Sequence, residues 1–267
     1  MTTNAVETVG LTRRFGALTA VNDLRLSVPA GSIFGLLGRN GAGKTVTIKM
    51  LTTLLPPSSG HATVAGFDIV AQATQVRRRI GYVPQMLSAD GGLTGYENLL
   101  VSARLYNVNG RDRRRRIAEG LALMELEESA DTLVRHYSGG MIRRLEIAQG
   151  LLHRPAVLFL DEPTVGLDPV ARHAVWEHLR RVQKTFGTTL FLTTHYMDEA
   201  ETLCDHAAIL HRGQLAVVGS PAELMRRVGP DATFDDVFAH FTSSSAEIDE
   251  RGYREAQRAR RTARRLG

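Results

Sequence analysis

Eight consecutive residues carry the clearest chemistry in this sequence: Gly38, Arg39, Asn40, Gly41, Ala42, Gly43, Lys44 and Thr45. They follow the short apolar run Ile33–Leu37 and precede a helical run through Ile48, Met50 and Leu51. The spacing is that of G-x-x-x-x-G-K-[ST], in which glycines let the backbone curl until its N–H groups point inward at phosphate oxygens. The N-terminus of the following helix reinforces that field. Lys44 is placed to reach the β- and γ-phosphates of a nucleoside triphosphate, and the Thr45 hydroxyl to ligate Mg²⁺. A second pair, Asp161 and Glu162, closes the apolar run Val157–Leu160. Asp161 suits a Mg²⁺ ligand. The like charge beside Glu162 and its partial burial should favour its protonated form, which suits a group that orients or deprotonates water. Alone, such a pair can equally cap a turn; the phosphate loop upstream is what turns it into a site. His195, after the run Thr189–Leu192, is a candidate to bond the γ-phosphate, although a lone histidine there can also be structural.

The elements that must position these groups can be read from periodicity. Leu24, Leu26 and Val28 alternate with polar residues before a turn at Pro29-Ala30-Gly31, the pattern of antiparallel strands near the N-terminus. The runs Ile33–Leu37, Ile80–Val83, Val157–Leu160 and Thr189–Leu192 are too short for helices and too apolar for half-exposed strands. They read as buried strands of a mainly parallel sheet. Ligands of such sheets bind beyond the carboxyl ends of the strands, where Gly38, Gln85, Asp161 with Glu162, and His195 all fall. Asp168 with Pro169 predicts a helix start, followed by Val175, Leu179, Val182 and Phe186 on one face. Ser220 and Glu223 have capping-box spacing, as do Thr94 and Glu97. From about 86 to 150 the pattern is helical and reads as a lobe inserted into the α/β core, entered through a hinge at Ser88–Gly92.

The next segment specifies a family. Tyr137-Ser138-Gly139-Gly140-Met141 precedes an amphipathic helix marked by Met141, Leu145, Ala148 and Leu152, with Ser138 as its cap and a second anion site at its start. This resembles the signature motif of the ABC ATPases, with Met141 where glutamine is commoner. Together with Gln85, Asp161-Glu162-Pro163-Thr164, Gly166-Leu167-Asp168 and His195, it is similar to a complete ABC nucleotide-binding domain over roughly Val6 to Leu224. The resemblance implies an α/β fold. It has a P-loop NTPase core, an N-terminal antiparallel β subdomain and an inserted helical subdomain, spanning residues 1–241 and followed by a basic tail, 242–267. It implies a head-to-tail homodimer with two ATP molecules. Each lies between Lys44 and Thr45 of one subunit and Ser138, Gly139 and Gly140 of the other. It further implies that Gln85 links the helical lobe to the site and its metal, that Asp168 bridges the two sites, and that Phe15 stacks on adenine. Phe15 is also compatible with an ordinary strand residue. Where many relatives carry a second hydroxyl after the lysine, this chain has Val46.

The motif through Met141, the following Arg143-Arg144-Leu145-Glu146, and Thr233–Phe238 resemble the daunorubicin/doxorubicin resistance branch of type-2 ABC exporters. That resemblance implies an ATPase subunit at the cytoplasmic face of the membrane, working with a separate transmembrane permease. The segment Thr233–Phe238 reads equally as an amphipathic helix sealing the core. A soluble ABC ATPase that remodels ribosomes or DNA is the competing class, but this chain has one cassette and no sustained heptads.

Bulk composition agrees. Hydrophobic residues make up 43% and charged residues 23%, enough for a large core. Cys204 is the only cysteine, so no intrachain disulfide forms. The first residues lack a signal-peptide pattern, and no apolar run approaches the roughly 18 residues of a membrane span. The net charge of +5 is concentrated in Arg113–Arg116 and in the tail from Arg251 to Arg265. Such runs read as solvated faces; in the tail they also suit anionic lipid headgroups. Apart from Tyr253, no aromatic residue interleaves with them to stack on bases, so nucleic acid is not an expected partner.

Overall fold

The computed structural model describes residues 3–243. The strands β1 (Asn4–Phe15) and β2 (Leu18–Pro29) pair as an antiparallel hairpin, and β3 (Ile33–Leu37) leads through the glycine-rich loop into α1 (Lys44–Leu51). The strands β4 (Ser59–Val64) and β5 (Phe67–Asp68) return to the open edge of β1. After α2 (Ala73–Arg79) and β6 (Ile80–Val83) come three helices, α3 (Gly95–Leu105), α4 (Gly110–Leu123) and α5 (Gly139–Leu151). The chain continues with β7 (Val157–Asp161), α6 (Pro169–Phe186), β8 (Thr189–Thr194), α7 (Met197–Leu203) and the strands β9 (His206–His211) and β10 (Gln214–Gly219). It closes with α8 (Pro221–Val228) and α9 (Phe234–Thr242).

The second sheet has the order β10-β9-β3-β8-β7-β6, parallel throughout except for β10. The four apolar runs singled out in the sequence are its neighbouring strands β3, β8, β7 and β6. Their side chains divide between two cores with the period of two that a strand imposes. Ile33, Leu37, Leu158, Leu160, Leu190 and Leu192 face the helices. Phe34, Leu36, Val157, Phe159 and Phe191 face the antiparallel sheet and α1. Both faces are covered, which is why these strands carry no polar alternation. The rings of Phe34 and Phe159 each lie 5.3 Å from that of Phe191.

Local spacing sets the helix ends. Thr94 with Glu97 and Ser220 with Glu223 form reciprocal capping boxes, and Thr233 with Asp236 forms a third. Asp168 caps α6, with Pro169 at its first position. In α9, Phe234 and Val237 are buried in the helix-side core, so Thr233–Phe238 does seal it.

Two expectations are corrected. The hinge at Ser88–Gly92 is tied down: Ser88 and Ala89 donate to Glu146, and Asp90 is bonded by Asn98. The run Arg113–Arg116 is more than a solvated face, because Arg113 donates to the Val108 carbonyl and Arg116 to the Leu152 carbonyl. The arginine-rich tail, with its proposed lipid contact, lies outside the described residues.

Candidate functional site

The carboxyl end of β3 opens into the phosphate loop. Gly43 stands at φ 106°, and a Cβ there would lie 2.5 Å from the Ala20 carbonyl oxygen, so only glycine fits. At Gly38 the constraint is space, since a Cβ would lie 2.6 Å from the Leu210 carbonyl oxygen. Ala42 closes the turn with its N–H on the Arg39 carbonyl at 3.0 Å, while Arg39, Asn40 and Gly41 are exposed. Gly38, Arg39, Asn40 and His195 border a cleft of about 710 Å³. Lys44, first residue of α1, is buried and folds back so that Nζ donates to the Gly38 carbonyl at 2.7 Å. Val46 is half-buried and packs against the core beneath the antiparallel sheet.

Next to the loop, β7 ends in two carboxylates that are 1% and 7% exposed, Asp161 and Glu162. Asp161 Oδ1 accepts from Thr45 Oγ1 at 3.2 Å and from Thr193 Oγ1 at 2.6 Å. Glu162 has φ 48°, the left-handed region that non-glycine residues seldom occupy. Its N–H donates to Thr193 Oγ1 at 3.0 Å, which holds the kink. The Glu162 carboxylate then bridges two side chains from different elements, the Lys44 ammonium and the His195 imidazole. Oε1 lies 3.0 Å from Lys44 Nζ, and Oε2 lies 3.1 Å from His195 Nδ1. The expectation for Glu162 rests on the like charge of Asp161 and on partial burial; the fold adds Lys44 as a counter-charge. The field of Asp161 also reaches Tyr82, whose phenol is pushed up to about 12, first by burial and then by that charge.

The structure therefore brings Lys44, Thr45, Asp161, Glu162 and His195 together. It does not bring in Gln85: its side chain is exposed, and no hydrogen bond among the described residues joins it to Thr45 or Asp161. Ser138 caps α5 by accepting from Met141 N–H at 3.2 Å, and Ser138 and Gly139 are exposed, with Gly140 half-buried behind them. Asp168 is exposed and accepts from the N–H groups of Val170 and Ala171, both at 2.9 Å. Phe15 is 44% exposed at the end of β1, with the Arg13 guanidinium 4.6 Å from its ring centre. Sequence reasoning missed the role of Thr193, whose only signal was its place at a strand end. It also missed Glu199, fully buried in α7, whose Oε1 accepts from Thr164 Oγ1 and Trp176 Nε1, both at 2.8 Å.

A phosphate loop on the central strand of a parallel sheet, with a buried Asp-Glu pair on a nearby strand, defines a P-loop nucleoside triphosphatase. Comparison with known proteins narrows the class. Residues 21–165 match the family model described as ABC transporter. The chain is 45% identical to the daunorubicin/doxorubicin resistance ATP-binding protein of Streptomyces peucetius, over 85% of this chain and 68% of that one. It is 44% identical to the Nod factor export ATP-binding protein I of Ralstonia nicotianae, over 81% of this chain and 67% of that one. A solved ATP-binding subunit of an ABC transporter superposes with a TM-score of 0.79 at 30% identity, covering 90% of this chain and all of that one (100%). The chain belongs to the ABC transporter family, as an ATP-binding subunit and an ATPase.

Proposed function

We propose that this chain powers an exporter of drugs, antibiotics or lipids from the cytoplasmic face of the membrane, as the peripheral ATPase partner of a separate permease. The observation that carries the catalytic part is the bridge from Lys44 through Glu162 to His195 beside the phosphate loop. Lys44 and the loop amides hold the β- and γ-phosphates. Glu162 orients the attacking water and accepts its proton, and His195 steadies the transferring phosphoryl group. Thr45 and Asp161 offer the hard oxygen ligands that suit Mg²⁺. No group of three or more His, Cys, Asp or Glu among the described residues could hold a metal, so water and phosphate oxygens would complete that shell. Bound there, the ion would neutralise charge on the β- and γ-phosphates.

The exposed Ser138 and Gly139 support a head-to-tail dimer in which they meet the partner's ATP, with Asp168 between the two sites. None of the described helices is long and apolar enough to cross a membrane, which fits a permease on another chain. A groove of mixed polarity lined by Pro84, Ser88, Ser102, Leu105, Tyr106 and Gln149, near the exposed Met86 in sequence, offers that permease a landing place. Two measurements test the reading. Hydrolysis per subunit should rise with protein concentration in the dilute range, and constant turnover there would refute the shared site. The chain should co-purify from detergent-solubilised membranes with a multi-span protein; recovery on ribosomes or DNA instead would refute the exporter.

A further inference from the structure

Arg143 and Glu146 lie one turn apart on α5 and are 2% and 3% exposed. Packing alone does not call for them, because a buried ion pair can often be replaced by apolar residues without loss of stability. The destination of their hydrogen bonds is what stands out. Arg143 Nη1 donates to the Pro84 carbonyl at 2.7 Å and to Glu146 Oε2 at 3.0 Å, and Nη2 donates to the Gln85 carbonyl at 2.7 Å. Glu146 Oε1 accepts from the N–H of Ser88, from the Ser88 hydroxyl at 3.1 Å and from the N–H of Ala89 at 3.3 Å. The pair grips the backbone at Gln85 and on both sides of it. The helix that does the gripping also carries Ser138 as its N-cap, five residues from Arg143, or about 7.5 Å along the axis.

We propose that Arg143 and Glu146 are positioning residues that fasten residues 84–89 to α5, so that Gln85 and Ser138 move as one rigid body. The catalytic consequence rests on the function proposed above: a shift of α5 that seats Ser138 on the partner's ATP would carry Gln85 of its own subunit with it. The mechanical part does not depend on that reading. An ion pair with a planar fork suits the task, since one guanidinium spans two carbonyls and a carboxylate at once.

The full-length chain tests this with two readouts, amide hydrogen exchange without nucleotide and steady-state ATP hydrolysis. The double variant Arg143→Met/Glu146→Leu fills the volume with apolar atoms. It should speed exchange at Ser88 and Ala89 by about tenfold and lower kcat by about tenfold, with KM for ATP within about threefold. Glu146→Gln keeps an oxygen for those amides but turns its NH2 toward Arg143 Nη1, so both readouts should lie between wild type and the double variant. Should the double variant not fold, Arg143→Lys is the milder probe: it keeps the charge but cannot span all three acceptors, and kcat should fall about fivefold. Unchanged exchange in the folded variants would overturn the clamp. So would a kcat loss matched by an equal rise in KM, or one that Glu146→Gln fails to relieve. A wild-type chain that hydrolyses no ATP would sink the functional reading while the exchange data still decided the clamp.

Discussion

Replacing Glu162 by glutamine tests the centre of the site, because the amide keeps the shape but can neither balance Lys44 nor take a proton. At 3.0 Å, and with an effective dielectric constant near 20, the Lys44–Glu162 attraction is about 5.5 kcal/mol gross. A bound phosphate competes for the same ammonium group, and removing the carboxylate also removes a like charge from the γ-phosphate's surroundings. Nucleotide affinity should therefore hold, or tighten by up to about tenfold, rather than fall. A positioned general base supplies a factor of about 10²–10⁴, so single-turnover hydrolysis should drop by about 10²–10³. That drop is equivalent to about 3–4 kcal/mol in the barrier. Phosphate release with enzyme in excess and displacement of a fluorescent nucleotide measure the two quantities, and an ATP-bound dimer should accumulate on gel filtration. Hydrolysis within about threefold of wild type would remove Glu162 from the chemistry. Binding weakened beyond about tenfold would mean instead that Glu162 props up the loop through Lys44.

Three further outcomes follow from particular side chains. Val46→Thr supplies a hydroxyl for the α-phosphate; because the side chain is partly committed to the core, ATP and ADP should tighten together by about three- to tenfold with kcat unchanged. Equal affinities for the two proteins would put the side chain wholly in the core. The Glu199 carboxyl is raised above its ordinary 4.5, chiefly by burial, with the nearby Thr194 and Thr164 hydroxyls and the Trp176 indole N–H pulling the other way. Its contribution to stability is full below 4.5 and lost as pH rises through the folded value, so Glu199→Gln should gain in Tm over wild type as pH climbs from 4.5. A Tm difference that is flat with pH would refute it. Deleting residues 244–267 should weaken salt-sensitive binding to anionic vesicles while ATPase activity persists, and equal vesicle binding would leave the tail arginines as solvated charge.

What the sequence made legible was local. The spacing of Thr94 to Glu97 and of Ser220 to Glu223 fixed two helix starts, since the cap and its reciprocal partner lie within one turn. Unbroken apolar runs marked strands covered on both faces, and the polar residues after them marked the site. What escaped was long-range. Ser88 reads as part of a loose hinge until Glu146, 58 residues on, is found to hold it. Arg116 reads as a solvated charge until its partner, the Leu152 carbonyl 36 residues on, is seen. The pairing of Glu162 with Lys44 needed β3 and β7 in one sheet on either side of β8, a neighbourhood that no spacing in the chain records. The strands β9 and β10, which complete that sheet beyond β3, were not read either.

Trp176 is the chain's single tryptophan, and its indole N–H ends on the same Glu199 oxygen that accepts from Thr164, two residues after the proposed base. The indole is 3% exposed, so bulk solvent contributes little to its surroundings. Its emission responds to that hydrogen bond, to the carboxylate behind it and to the His173 ring 4.6 Å away. Any displacement of the stretch from Glu162 to Asp168 that draws Thr164 away must change the polarity felt by the excited ring. The molecule thus carries its own optical reporter beside the reacting centre. Stopped-flow mixing with nucleotide can follow that stretch in real time, with no dye attached and no residue replaced.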